Sequence, residues 1–423
     1  MEKREKIAVI GAGASGLAAA MTAAEKGACV SLFERKKEPG RKILITGNGK
    51  CNIGNRQISH DTVPGCFYAD HPERLLELTD RFPVEAQIGF LESLGLWLTE
   101  RGDGIYPRSM QAGDVLSALL RGAKKAGVSL LCGSMVREIE KGPDGFYLSL
   151  SKEEGGEIRR EGPFDKCIVS GGGSAAPKTG SDGNAGKMLR KLGIPFRDPL
   201  PALCALKSPE VPKLLSGVRA RGEITLLGEK GELLAASKGE LQFSEGEISG
   251  IPAFDVSHMA ARRISENRPV TAVLNLFADH SPEEVREGIK GRISRMPDAR
   301  FPVEGREALE EIFVGCFWDR LLSFLIRETG AENRIYPGRL QVSDAAQSLA
   351  ARAGALRFRI AGTAGFDRAQ VSQGGVPLTE VSENLESLTV PGLYITGELL
   401  DVDGICGGYN LYFALLTGRL VLG

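Results

Sequence analysis

The sequence predicts an α/β fold: a Rossmann-type domain built from both ends of the chain and interrupted by an inserted region. Two glycine clusters carry that prediction. Gly11-Ala12-Gly13-Ala14-Ser15-Gly16 directly follows the apolar run Ile7-Ala8-Val9-Ile10. Gly397-Glu398-Leu399-Leu400-Asp401-Val402-Asp403-Gly404, then Gly407-Gly408-Tyr409-Asn410, lies near the other end. A third observation is the change of texture between them, where short β-like pieces separated by Gly and Pro give way to a helical stretch.

The elements follow in order. Lys6–Ile10 is short, apolar and closed by glycine, which suits a buried strand. Residues 15–26 are Ala-rich and stop at Gly27, a helix with a glycine C-terminus. Residues 29–33 form the next strand, closed by Glu34, and complete a βαβ start. Gly40–Asn55 is expected to be an ordered, irregular loop. Residues 73–94 read as helix with a break at Pro83, and 114–126 as a second helix leading into a strand over 128–132. Strands are expected over 136–140, 146–150 and 167–170, the last ending at Gly171-Gly172-Gly173, with a helix over 183–192. From about Pro195 the β-like pieces include 223–227 and 240–243. Residues 281–330 look helical, opened by Ser281-Pro282-Glu283-Glu284 with its N-cap, N1 proline and acid. Strands return over 357–360 and 392–396. The expected domains are therefore 1–194 with 346–423, a β-rich insert over 195–280, and a helical insert over 281–345.

The composition sets bounds. A chain of 423 residues is long enough for two or three domains. Its 53 basic and 54 acidic side chains give a net charge of −1, which argues against a nucleic-acid or anionic-membrane surface. No apolar run approaches the roughly 20 residues of a membrane span. The charged start Met1–Lys6 lacks the apolar core of a signal peptide, so a cytoplasmic location is expected. The eight cysteines contain no CxxC pair, and the reading is free, mostly buried thiols. The four histidines are not spaced as metal ligands, so no metal is expected. No nucleophile elbow is present.

Each motif has a physical reading. In the first cluster Gly11 permits the tight turn, Gly13 lets the backbone approach a diphosphate, and Gly16 lets helix pack on strand. Ala14 and Ser15 then open a helix whose N-terminus favours anions. Glu34, about 20 residues on, is placed to accept ribose hydroxyls. Gly47-Asn48-Gly49-Lys50 is not a P-loop, because Leu44 and Cys51 stand where glycine and Ser or Thr are required. It reads as a loop against a phosphate or a flavin edge, with Arg41, Lys42 and Lys50 supplying charge. A helix starting at Gly407-Gly408 would aim N–H groups at the pyrimidine end of an isoalloxazine ring, where negative charge develops on reduction. Asp401 and Asp403 are alternatives for ribityl hydroxyls, waters or plain turn roles. Together the clusters point to a tightly held FAD and a redox enzyme.

The strings Gly40-Arg41-Lys42-Ile43-Leu44-Ile45-Thr46-Gly47-Asn48-Gly49-Lys50-Cys51-Asn52-Ile53, Gly392–Gly404 and Gly407-Gly408-Tyr409-Asn410-Leu411 resemble a bacterial flavoprotein family. That family is described as NAD(P)/FAD-dependent oxidoreductases, of the aminoacetone oxidase or bile-acid-inducible flavoprotein type. The resemblance covers nearly the whole chain and includes Thr363–Phe366, Ala369–Val371 and Gly374–Val376. It implies a glutathione-reductase-like Rossmann FAD domain with an inserted β-barrel and helical subdomain, non-covalent FAD, and hydride transfer. It also implies, for the bile-acid relatives, reduction of C=C bonds conjugated to a 3-keto group. Beyond the residues above, Arg35, Thr46, Cys51, Asn52, Val136, Gly171, Gly172, Gly397, Glu398, Gly404, Gly408, Tyr409, Asn410 and Leu411 are expected to contact FAD. The chain departs from relatives at Phe243-Ser244-Glu245-Gly246, where a Phe-Thr-His sequence is common, and at Leu411-Tyr412-Phe413-Ala414-Leu415.

With a single GxGxxG, no second Rossmann domain for nicotinamide is visible. NADH or NADPH is therefore expected to dock transiently, reduce FAD at N5 and leave. An apolar enone then takes the same face and receives hydride at its β-carbon. Tyr106, Arg108 and Tyr412 are candidate proton donors by side-chain type. The alternatives are an oxidase of a small amine or amino ketone producing hydrogen peroxide, and a non-catalytic flavin-binding or RNA-modification partner. The expected partner is a small apolar molecule, without nucleic acid or membrane, for a monomer or small homo-oligomer.

Overall fold

The computed structural model describes residues 4–152 and 155–423, so Met1–Lys3 of the charged start lies outside the described residues. Contacts divide the chain into two compact units, Met1–Ala202 with Phe366–Gly423, and Leu203–Gly365.

The first unit is built on a five-stranded parallel sheet in the order Leu393–Ile395, Lys166–Val169, Lys6–Ile10, Cys29–Glu34, Ser129–Cys132. The central strand Lys6–Ile10 is buried after its first residue, as a strand covered on both faces must be. Helix Ala14–Glu25 is buried along almost its whole length, and its small side chains explain how. The C-terminal helix Tyr409–Leu420 crosses it closely enough that a Cβ on Gly418 would lie 2.5 Å from the Ser15 carbonyl oxygen. The Thr22 hydroxyl donates to the Gly418 carbonyl at 2.9 Å across the same crossing. Helix Ala14–Glu25 stops as its sequence indicates, with Gly27 at φ +90° and the Ala28 N–H bonded back to the Ala23 carbonyl. Helices Pro72–Arg81 and Val84–Ser93 are separated at Pro83.

The stretch Gly40–Asn55 is more regular than the expected loop. It holds a helical turn, Arg41–Ile45, and a 3₁₀ turn, Thr46–Gly49. Gly40 enters at φ +67°, where a Cβ would lie 2.2 Å from Leu116 Cδ1. The backbone is left-handed at Gly47, Asn48, Gly49 and Cys51. Glycine and asparagine tolerate that region, which is why so many occur here.

The second unit carries a seven-stranded sheet in the order Leu356–Ile360, Val270–Asn275, Arg219–Leu227, Leu233–Ser244, Glu247–Ser249, Leu206–Lys207, Gly362–Thr363. Its first and last strands are consecutive in the chain, joined through Ala361, whose N–H donates to the Lys207 carbonyl at 2.8 Å. The sheet thereby closes on itself as a small barrel, although residues 233–241 of strand Leu233–Ser244 are paired on one side only. Helix Ile251–Ser265 packs on strands 219–227 and 233–244, in a region read from sequence as β-like pieces alone. Gly250, at φ +100°, precedes this helix, and Pro252 sits in its first turn, where proline is tolerated. The Ser281–Glu284 capping box is present in both directions.

The structure draws the inner limits differently from the expected 194/195, 280/281 and 345/346. Helix Arg339–Gly354 contributes Val342, Ala346 and Leu349 to the same core as Leu206 and Phe243 of the barrel. Strand Leu356–Ile360 pairs with Val270–Asn275. One core therefore spans β-rich and helical parts alike. Among the described residues no helix is long and apolar enough to cross a membrane. No disulfide joins the described cysteines, and only Cys51, Cys167 and Cys204 are buried, while Cys29, Cys132 and Cys316 are exposed.

Candidate dinucleotide cleft

The C-terminal ends of strands Lys6–Ile10, Cys29–Glu34 and Lys166–Val169 open onto one cleft. Open parallel sheets bind ligands at this edge.

The first glycine cluster forms one wall. Gly11, at φ +98°, lies so close to the neighbouring strand that a Cβ would come 2.5 Å from the Ser170 carbonyl oxygen. A Cβ on Gly16 would lie 1.8 Å from the Gly11 carbonyl oxygen, so Gly16 serves packing rather than lining the cleft. Around Gly13 there is nothing within 4 Å, and no side chain caps the helix it starts. The open N–H groups at Gly13, Ala14 and Ser15 thus border free space, which is the geometry an anion needs.

Glu34 lies at the cleft and is only 8% exposed. Its Oε2 accepts the Ala12 N–H at 3.0 Å and its Oε1 the Lys36 N–H at 2.8 Å. Each oxygen keeps a further lone pair for a ligand hydroxyl. Arg35 pairs with Asp182 at 2.6 Å and donates to the Gly180 carbonyl. Phe33, Met135, Val136, Ala185 and Met188 give this end an apolar slot, and Gly171 and Gly172 form its floor.

Midway, the Lys42 ammonium lies 2.5 Å from Glu398 Oε2. Glu398 Oε1 accepts both the N–H and the hydroxyl of Ser372, and the Ser372 hydroxyl in turn accepts the N–H groups of Ser174 and Ala175. Gly397 stands against the first helix, where a Cβ would meet Ser15 Oγ at 2.5 Å. Arg41 and Thr46 also line this stretch.

At the far end, Asn410 fixes the start of the C-terminal helix. Its side chain accepts the Gly404 N–H and donates to the Gly404 carbonyl, both at 2.8 Å. Gly408 precedes the helix at φ +97° without a side-chain cap. Asn55 donates to the Gly407 carbonyl at 3.0 Å. Tyr409 meets Phe67 edge to face with ring centres 5.5 Å apart. Val402, Leu411, Phe413 and Ala414 line the cleft here.

Several expected site residues support the cleft without lining it: Gly47, Gly49, Lys50, Cys51, Asn52, Asp403, Gly404, Gly408 and Tyr409. Lys50 is exposed, whereas Asp403 is buried. Cys51 is fully buried, which pushes its thiol up to about 11 against the lowering effect of a hydrogen bond with Thr46. A Cβ on Gly408 would meet Asn52 Oδ1 at 2.6 Å, which places Asn52 directly beneath the helix start. Asp401 pairs with Arg197 at 2.8 Å and accepts the Gly374 N–H, so it ties the fold together instead of reaching a ligand.

None of the three candidate proton donors lines the cleft. Tyr412 is fully buried, donates to the Phe82 carbonyl at 2.6 Å, and has its phenol pushed well up by burial. It is a core residue because it falls on the inner face of its helix. Arg108 is exposed, and Tyr106 is half-buried beside Gly104 and Asn52. Sequence reasoning missed Ser134, Thr179, Gly180, Ser181, Asp182, Asn184 and Gln370. The Gly180-Ser181-Asp182-Gly183-Asn184 turn before a helix was a usable signal, while Ser134 and Gln370 carried none.

Comparison with known proteins agrees with this architecture. The family model for the HI0933-like protein Rossmann domain matches residues 5–422. A 3-dehydro-bile acid delta(4,6)-reductase of Clostridium scindens is 34% identical over 423 residues, covering 98% of this chain and 97% of that protein. A ribosomal RNA dihydrouridine synthase of Escherichia coli is 28% identical over 434 residues, covering 98% and 96%. The crystal structure of a 3-ketosteroid-delta4-(5alpha)-dehydrogenase from Rhodococcus jostii aligns with a TM-score of 0.50 at 15% identity, covering 99% and 97%, a likeness of fold.

Proposed function

Because this chain belongs to the HI0933-like family of FAD-binding Rossmann proteins, we propose that it is an NAD(P)H-dependent reductase of a C=C bond conjugated to a carbonyl. The favoured substrate is an apolar 3-keto steroid or bile-acid-like enone. The observation that carries the reading is the long cleft with an uncapped helix start at each end, in a chain 34% identical over its length to a bile-acid reductase.

The residues present fit FAD. The missing Cβ at Gly13 leaves room for a diphosphate, and the helix start at Ala14 supplies its N–H donors. Glu34 has lone pairs for the ribose hydroxyls, and Val136 and Met188, which line the same cleft, offer apolar surface to an adenine ring. Lys42, held by Glu398, offsets diphosphate charge. When bound, FAD supplies hydride transfer at N5. The second helix start, fixed by Asn410, stabilises negative charge arising beside it.

A second reading has its own support. Two relatives are ribosomal RNA dihydrouridine synthases at 28% and 26% identity, each covering at least 94% of that protein. Uridine also carries a C=C bond conjugated to a carbonyl, so the chemistry is shared and the molecule differs. The net charge of −1 favours the small apolar substrate.

The test is an anaerobic absorbance titration of the holoprotein with NADH and NADPH, followed by a 3-keto-4-ene steroid or a uridine-containing ribosomal RNA fragment. Flavin bands that bleach and return with the steroid support the first reading. Return only with RNA supports the second, and return only with air favours an oxidase. A protein that takes up no FAD overturns the proposal.

A further inference from the structure

We propose that Gln370 is the residue that grips the substrate's carbonyl oxygen, an inference that rests on the enone reading above. The argument is one of elimination among the polar side chains of the cleft. Glu34 is held by two backbone N–H groups, Arg35 by Asp182, Lys42 by Glu398, and Glu398 by Ser372. Asn410 spends both ends of its amide on Gly404. Thr46 donates to the Ile43 carbonyl, Thr179 to that of Ala176, Ser181 to that of Gly173 and Asn184 to that of Val136, and Ser170 is bonded to Thr396. Ser15 sits at the first helix start, Ser134 beside Glu34, whose carbonyl accepts its N–H, and Arg41 is a cation suited to a diphosphate. Gln370 lines the cleft, is exposed, and has no hydrogen-bond partner among the described residues.

Its place in the fold matches the task. Gln370 immediately precedes strand Val371–Gln373, which lies against strand Val402–Gly404, the strand that leads into the Gly408 helix start. Gln370 also stands two residues before Ser372, the partner of Glu398, so it lies between the Glu398 pair and the far end, where Val402, Leu411, Phe413 and Ala414 are apolar. An apolar molecule with one reacting carbonyl needs one donor in such surroundings. A carboxamide N–H is a neutral donor, suited to a ketone and less to a carboxylate or a phosphate. When hydride adds to the β-carbon, the π electrons shift along the enone to leave an enolate with its charge on the oxygen, and water then supplies the proton to the α-carbon. A donor already at that oxygen stabilises the charge as it forms.

The experiment measures binding without turnover. The oxidised holoprotein, free of nicotinamide, is titrated with a 3-keto-4-ene steroid and with its 3-deoxy-4-ene counterpart, each read from the shift of the flavin visible band. The wild type is expected to bind the ketone roughly tenfold more tightly. In Gln370→Leu the ratio is expected to fall towards one, with Gln370→Asn intermediate, and FAD content and melting temperature confirm that both variants fold. A Gln370→Leu ratio equal to the wild type overturns this inference and leaves the enone reading standing. A wild type that holds FAD but binds neither steroid overturns the small-molecule reading and this inference together.

Discussion

The two glycine-rich ends of the cleft are built in opposite ways. At Gly11–Gly16 the glycines answer to their own neighbourhood: strand, turn and helix are contiguous, and Gly16 packs on Gly11 itself. At Gly404–Gly408 the local sequence is not sufficient. That turn is held by Asn410, by Asn55 from far earlier in the chain, and by the edge-to-face contact of Tyr409 with Phe67, with Asn52 packed beneath it. The first end is a self-sufficient local motif. The second is a tertiary assembly, and it is therefore the end that side-chain changes elsewhere can disturb.

Substitutions separate the two. Gly16→Ala puts a Cβ 1.8 Å from backbone that cannot move away, and it should cost about 3 kcal/mol of stability and abolish FAD retention. Denaturant unfolding and the flavin absorbance of the purified protein check both. If Gly16→Ala is stable, the first end is not the rigid motif described here.

Alkaline pH tests both ends together. Burial pushes the Cys51 thiol, beneath the second end, up to about 11, and that of Cys167, in the sheet supporting the first, up to about 12, from a usual value of 9. Each thiol stays protonated in the fold and ionises freely once unfolded. Their contribution is complete below pH 9 and is lost as the pH rises through 11 for Cys51 and 12 for Cys167. For Cys51 the full loss is about 3 kcal/mol. Unfolding free energies measured from pH 8 to 11 should fall, with a shallower fall in Cys51→Ala.

Asn410→Ala removes two bonds to the Gly404 backbone and should cost about 2 kcal/mol, with weaker FAD binding measured by fluorescence recovery on release. Tyr412→Phe leaves the Phe82 carbonyl unpaired and should cost about 1 kcal/mol while reoxidation of the reduced flavin by the enone keeps its rate. A large loss of hydride transfer in Tyr412→Phe would restore it as a proton donor. Smallest in stability is Gly13→Ala, below about 1 kcal/mol because nothing lies within 4 Å, although its methyl group occupies diphosphate space and should lower FAD affinity. Gly16→Ala and Gly13→Ala thus divide packing from binding within one motif.

The sequence by itself determined the parallel-sheet strands, the first helix with its glycine stop, the Pro83 break, and the first wall of the cleft, since each depends on periodicity, capping or turn chemistry within a few residues. Helix Ile251–Ser265 escaped because its buried face mixes Ala253, Val256 and Ala260 with Ser257 and His258, so its apolar periodicity is weak. Only the tertiary structure decided that one core spans 203–365, that Tyr412 points inward, that Asp401 is claimed by Arg197, and that Gln370 stands unclaimed in the cleft. The physical reason is common to all four. A side chain's type states which bonds it is able to make, and whether a partner from a distant part of the chain has already taken them is settled when the chain folds.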